Sequence, residues 1–305
     1  MSSLLVFPGQ GAQRVGMLQA LPPAFLRHCG DVLGESLSEL DSAESLRSTR
    51  AVQLCLLMVG VQAWQCLHQA GAQADYVAGL SIGAYPAAVA AGSLAFEDAL
   101  RLVALRGQLM HDAHPRGYGM SAILGLDVAE LEPLLQQAQG RGDEVYLANI
   151  NAVRQLVISG HEQALAALGQ VALAHGATAV RRLAVSTPSH CRLLEEPARR
   201  LDEAFAEVPL QAPHLRYLSG STARLIRDAR SLREDLAFNM CRPIDWAGTV
   251  AGAYERGVRL QVELPPGSVL SGLARPLFLE GRVLAFEGTR LDSLVALLRE
   301  EHDRA

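Results

Sequence analysis

One stretch constrains this chain more than any other. Residues 76–91 read Tyr-Val-Ala-Gly-Leu-Ser-Ile-Gly-Ala-Tyr-Pro-Ala-Ala-Val-Ala-Ala: a short apolar run, a Gly-x-Ser-x-Gly turn and an alanine-rich helical run. A strand that turns sharply into a helix needs glycine on both sides of the turn, because a Cβ would crowd the neighbouring backbone. Such a turn pushes one hydroxyl, that of Ser81, into a cleft and places the next amide, that of Ile82, where it can stabilise an oxyanion. Gly-x-Ser-x-Gly also arises by chance as a small-residue turn with an idle, buried serine. The rest of the chain must separate acyl-enzyme chemistry from that blander reading.

The flanks extend the first reading. Residues 4–7 form a short apolar run closed by Pro8-Gly9, a buried strand followed by a turn. Residues 51–70 read as a largely apolar helix, 75–78 as the strand into the turn, and 84–92 and 96–113 as helices. This βα alternation predicts a parallel sheet covered by helices. The order changes near residue 119. Residues 120–124 read as a strand and 128–137 as a helix containing Pro133. Residues 145–150 and 155–159 read as strands across a turn at Asn151-Ala152. Residues 163–175 then read as a helix and 179–185 as a strand. The order β-α-β-β-α-β is that of a ferredoxin-like unit. Residues 220–235 read as a solvated loop and helix start, and Pro265-Pro266-Gly267 as a tight turn after a strand at 260–264. The predicted fold is α/β. A hydrolase-like, parallel-sheet large domain (1–118 and 193–305) is interrupted by a ferredoxin-like small domain (119–192).

Composition removes several function classes. The net charge is −5, with no basic or acidic block, so no nucleic-acid track is expected. All 27 basic residues are Arg, which excludes a Schiff-base or Walker-A lysine. The five cysteines are scattered and odd in number, so neither a disulfide framework nor a zinc site is expected. Cys55 and Cys66 read as small core residues. His111 and His114 are three apart but lack further ligands, and read as solvent-exposed. No metal and no cofactor are expected. The N-terminus has no basic n-region, and the apolar runs read as too short for a membrane span. The expected location is the cytoplasm, without membrane contact.

Five segments carry a resemblance. They are Phe7-Pro8-Gly9-Gln10-Gly11-Ala12-Gln13, Gly79-Leu80-Ser81-Ile82-Gly83, Leu105-Arg106-Gly107-Gln108-Leu109-Met110, Pro188-Ser189-His190-Cys191 and Asn239-Met240-Cys241-Arg242-Pro243. In this order and spacing the chain resembles, nearly end to end, the malonyl-CoA:acyl-carrier-protein transacylases and the acyltransferase domains of fatty-acid and polyketide synthases. The resemblance implies Ser81 as nucleophile, His190 as base, Arg106 as partner of the malonyl carboxylate, and the amides of Gln10 and Ile82 as the oxyanion hole. It also implies that the backbone carbonyl of Asn239 orients His190. Gln53 and Asn151 fall where that family lines its pocket. Without the resemblance, Arg106 in an apolar helix reads more readily as the structural partner of a buried acid than as a ligand-binding group.

Two departures matter. The usual Gly-His-Ser-x-Gly-Glu is Gly79-Leu80-Ser81-Ile82-Gly83-Ala84 here, and the usual Val-Gly-Pro-Gly is Leu264-Pro265-Pro266-Gly267. The first form is similar to the epsilon subunit of malonate decarboxylase, which loads malonyl onto a carrier subunit bearing a phosphopantetheine-type arm. The resemblance therefore implies malonyl-CoA and an acyl carrier protein, or that carrier subunit, as partners. The competing expectations are malonyl transfer for fatty-acid or polyketide synthesis, a serine thioesterase or hydrolase, and a non-catalytic carrier-docking subunit.

Overall fold

The computed structural model describes residues 2–114 and 116–304. Along the chain run β1 (Ser2–Phe7), α1 (Pro23–Leu33), α2 (Thr49–Gln69), β2 (Tyr76–Gly79), α3 (Ala84–Ala90), α4 (Phe96–Ala113), β3 (Tyr118–Leu124), α5 (Val128–Gly140), β4 (Val145–Ala152), β5 (Gln155–His161), α6 (Glu162–Ala174) and β6 (Ala179–Arg182). Then come α7 (Glu195–Ala204), β7 (Arg216–Leu218), β8 (Leu225–Ile226), α8 (Ala229–Phe238), β9 (Ile244–Asp245), α9 (Trp246–Glu255), β10 (Val258–Glu263), α10 (Val269–Ala274), β11 (Arg282–Ala285) and α11 (Leu291–Asp303).

The first sheet has the order β11-β10-β1-β2-β7-β8 and is parallel except at β8. Its central strand β1 is buried at every position, and after Ser2 and Ser3 it reads as an unbroken apolar run, Leu4 to Phe7, as a strand covered on both faces does. One cluster on this sheet gathers Leu5, Phe7, Val77 and Val262 under α2, α3 and α4, and another gathers Leu4, Val6, Ala78 and Leu218 with Trp246. Gly60 lets α2 close on Phe7, and Gly107 lets α4 close on α2, since a Cβ there would collide with the Arg50 backbone.

The α2 helix corrects one expectation. It is long and apolar enough to cross a membrane by length and composition, and 72% of its most apolar window is buried inside the molecule. It is the core helix over the parallel sheet. Cys66, near its end, is only half-buried, unlike Cys55.

The second sheet has the order β6-β3-β5-β4-β9. Its first four strands are antiparallel, with α5 and α6 on one face through Ile123, Leu131, Leu156 and Leu168. The fifth strand, β9, comes from 244–245 and pairs parallel to β4. No sequence pattern marks a two-residue strand. The other differences are local. β4 runs on to Ala152 because two bulges let Ile150 face Leu156 and Ala152 face Gln155, which moves the turn to Val153-Arg154. β6 stops at Arg182, after which Leu183 and Val185 pack on Met120, Ala122 and Val157, on the sheet face away from the helices. Residues 220–235 are not simply solvated: they contain β8, and Leu232 and Asp235 are buried.

Candidate active site

Ser81 lies two residues past the end of β2, in the left-handed region, at φ 57°. The glycines on either side explain how the turn is held. A Cβ on Gly79 would strike the Gly83 backbone, and one on Gly83 would strike the Phe7 carbonyl. The Leu80 amide donates to the Phe7 carbonyl at 3.0 Å, so the turn stays hooked to β1. Ile82 follows in the first turn of the helical segment, where amides lack an intrahelical acceptor. The Gln10 loop lies against the same turn: Gly9 packs on Leu80, leaving no room for a Cβ.

His190 is the second non-glycine residue with positive φ at the site, at 63°. Its amide donates to the Met240 carbonyl at 2.7 Å, and Nδ1 faces the Asn239 carbonyl at 2.7 Å. A carbonyl only accepts, so Nδ1 carries the proton and Nε2 is the free, basic nitrogen. Burial, foremost, lowers the His190 pKa from 6.5 to about 4. The Asn239 carbonyl opposes the shift, and the Arg106 charge adds to it. The ring is therefore neutral at pH 7.

Arg106 is fully buried. Nη1 donates to Gln53 Oε1 at 2.7 Å, and Nη2 donates to Asn239 Oδ1 at 2.9 Å and Ser81 Oγ at 3.3 Å. Its guanidinium lies 5.8 Å from the Tyr85 ring centroid. Among the described residues no acid pairs with it, and Nε has no partner. The alternative of a structural pair with a buried carboxylate is thereby excluded among those residues. Desolvation lowers its pKa, and the cation is held by three neutral oxygens and a π face.

Ser81 and His190 share a cleft of about 240 Å³ with Gln10, Leu80 and Asn151. Ile82, Arg106 and Asn239 lie beneath its floor; Gln53, also below, donates to Gln10 Oε1 at 3.3 Å. Asn151 enters the cleft because β4 continues past the expected turn, and its buried Oδ1 has no partner. His114 is half-buried, not exposed: Nε2 meets the Leu193 carbonyl at 3.1 Å and its ring packs on Tyr118. His111 is exposed.

Sequence reasoning missed the far wall of the cleft. Met120, Val157, Leu183 and Val185 come from the second sheet, and Val269, Leu270 and Leu273 from α10. The signal was present in β3, where Met120 and Ala122 face the cleft side while Ile123 faces the helices. A strand apolar on both faces, in a sheet with helices on one face only, needs a second partner. Asn149, buried at the cleft, gave no signal beyond its proximity to Asn151. Chemically, the site holds a serine oxygen on a strained turn, a neutral imidazole with a fixed tautomer, and a buried cation with no counter-charge among the described residues.

Residues 4–280 match the profile of the acyl transferase domain family. The chain is 35% identical to the malonyl CoA-acyl carrier protein transacylase of Salmonella typhimurium, over 88% of this chain and 91% of that protein. Among solved structures, the malonyl CoA-acyl carrier protein transacylase of Coxiella burnetii superposes with a TM-score of 0.91 at 32% identity, covering 98% and 97% of the two chains. A malonyl-transacylase solved in complex with its type II polyketide synthase acyl-carrier protein superposes at 0.89 with 33% identity, over 98% and 100%.

Proposed function

The chain belongs to the acyl transferase domain family, among relatives named malonyl-CoA:acyl-carrier-protein transacylases, and on that premise we propose how it moves malonyl from malonyl-CoA to a carrier thiol. His190 Nε2 takes the Ser81 proton as Oγ attacks the thioester carbonyl. The amides of Gln10 and Ile82 hold the oxyanion, each such donor contributing about 3 kcal/mol. The tetrahedral intermediate collapses with cleavage of the C–S bond. His190 returns the proton to the departing CoA thiolate, leaving malonyl-Ser81. A carrier thiol then gives its proton to His190, attacks the ester and regenerates Ser81. No triad acid is needed, because the Asn239 carbonyl fixes the imidazole tautomer.

The observation that carries this reading is Arg106, a fully buried cation without a counter-charge among the described residues, donating to the nucleophile itself. Leaving it so costs several kcal/mol unless the substrate supplies the anion. A free acyl carboxylate supplies it; an acetyl group does not. We further infer that the carrier is the malonate decarboxylase subunit and that the enzyme works in the cytoplasm. Leu80 and Ala84, where the fatty-acid enzymes have His and Glu, support that carrier. A fatty-acid or polyketide carrier is the second reading, favoured by the likeness to the transacylase solved with its polyketide carrier.

The test is intact mass after mixing with malonyl-CoA or acetyl-CoA. The expected result is a malonyl adduct with malonyl-CoA alone, absent in Ser81→Ala and weakened in Arg106→Met. An equal adduct from acetyl-CoA would sink the role of Arg106. Transfer from malonyl-Ser81 to each purified carrier then decides between the two carriers.

A further inference from the structure

The core beneath the cleft holds a continuous polar path from Arg106 to the Gln10 loop. It passes through Gln53, which is fully buried on a face of α2 that it shares with Leu56, Leu57 and Gly60. Arg106 Nη1 donates to Gln53 Oε1 at 2.7 Å. Gln53 Nε2 donates to Gln10 Oε1 at 3.3 Å and lies 3.2 Å from the Met110 sulfur. A guanidinium has donors only, so the Gln53 oxygen must face Arg106 and its NH₂ must face Gln10. The direction of the path is forced, and a flipped amide would set donor against donor.

An apolar residue of similar size would fill this position without burying an amide, and buried amides are retained only where both ends are satisfied. Here the two ends are the cation beneath Ser81 and the side chain of the residue whose amide serves the oxyanion hole.

We propose that Gln53 is a positioning residue that couples the acyl carboxylate at Arg106 to the oxyanion loop at Gln10. The inference rests on the reading of Arg106 as the carboxylate-binding group. A carboxylate arriving at Arg106 takes the guanidinium donors now spent on Ser81 Oγ and recentres the cation. Gln53 follows Arg106, and Gln10 follows Gln53. The loop then closes on the reacting carbonyl only when a charged acyl group is present. Selection for malonyl is thus expressed in the rate of the acylation step as well as in binding.

The test follows acylation of Ser81 by rapid-quench mass spectrometry, with malonyl-CoA and acetyl-CoA, in the wild type and in Gln53→Met, Gln53→Glu, Gln10→Met and Arg106→Met. Gln53→Met keeps the volume and removes both hydrogen bonds. The expected result is a fall in the limiting malonylation rate on the order of ten- to a hundred-fold, the scale of a misplaced reacting group. The half-saturating malonyl-CoA concentration should change less than about three-fold, since binding and rate are separable. The slow acetylation rate should hardly move. Gln53→Glu hands Arg106 an internal carboxylate and removes the donor to Gln10, so its malonyl-to-acetyl ratio should fall below that of Gln53→Met. Gln10→Met cuts the other end of the path, and combined with Gln53→Met it should add little.

Equal losses with both acyl-CoAs would reduce Gln53 to a packing residue and overturn the proposal. A change in half-saturation alone, or additive effects of Gln53→Met and Gln10→Met, would do the same. Arg106→Met separates the layers. If it leaves the malonyl-to-acetyl ratio intact, the carboxylate reading itself fails. If it lowers that ratio while Gln53→Met does not, only the coupling fails.

Discussion

Ser81 and His190 hold nearly the same unusual backbone conformation, with φ at 57° and 63°, yet the chain enforces it by opposite means. At Ser81 the enforcement is local. Two glycines, one strand and one helix, all within residues 76–90, leave no alternative turn. At His190 it is remote. The loop from Leu183 to Ser189 has no regular structure, and the residue is pinned by carbonyls of Asn239 and Met240, about fifty positions further along. A non-glycine residue in the left-handed region costs about 1–3 kcal/mol, so both positions are strained. The nucleophile is held there by sterics and the base by tertiary hydrogen bonds.

The largest way to break this contrast is Gly83→Ala. The new Cβ would drive into the Phe7 carbonyl. We expect a loss of more than about 4 kcal/mol in denaturant unfolding, the range of severe overpacking and strain, together with loss of Ser81 acylation. A stable, active Gly83→Ala protein would show that the turn is not sterically enforced.

His190→Gly tests the remote half. Glycine accepts φ 63° and retains the amide bond to Met240, so the fold should survive while acylation falls by about 10²–10⁴-fold, the usual worth of a general base. The pH profile of the wild type sharpens this. Burial lowers the His190 pKa from 6.5 to about 4, and the acid form cannot accept the serine proton. The acid limb of kcat/KM, which reports the free enzyme, should therefore lie well below 6.5 and near 4. A limb at 6.5 would mean that the ring is solvated in the working enzyme.

The smallest expected effect is on stability alone. Ser81→Gly removes the Cβ from a left-handed residue, whereas Ser81→Ala keeps it. The glycine variant should be the more stable of the two inactive proteins by about 1 kcal/mol. Equal melting temperatures would indicate that the turn is less strained than its φ suggests.

The same contrast governs what could be read from the sequence. The strand–turn–helix at Ser81, the β-α-β-β-α-β order and the parallel sheet were legible because glycine placement and apolar periodicity are local signals. That the Asn239 carbonyl meets His190 was legible only through the resemblance; that Met240 also holds His190, and that Gln53 joins Arg106 to Gln10, was not legible at all, because each contact spans more than forty residues. The cleft wall escaped because Leu183 and Val185 lie past a strand that ends early. Asn151 was flagged as a pocket residue but placed in a turn, because bulges break the two-residue period on which strand reading depends.

The two-residue strand β9 has a mechanical consequence. An inserted unit tethered only at its two ends could rock over the cleft like a lid on one hinge. Here it is fastened a third time, where Asn149 and Ile150 pair with Ile244 and Asp245. That rivet sits a few residues beyond the carbonyls that grip His190. The upper wall and the imidazole are thus moored to one short stretch of chain, residues 239–245, so a pull on the first would load the second.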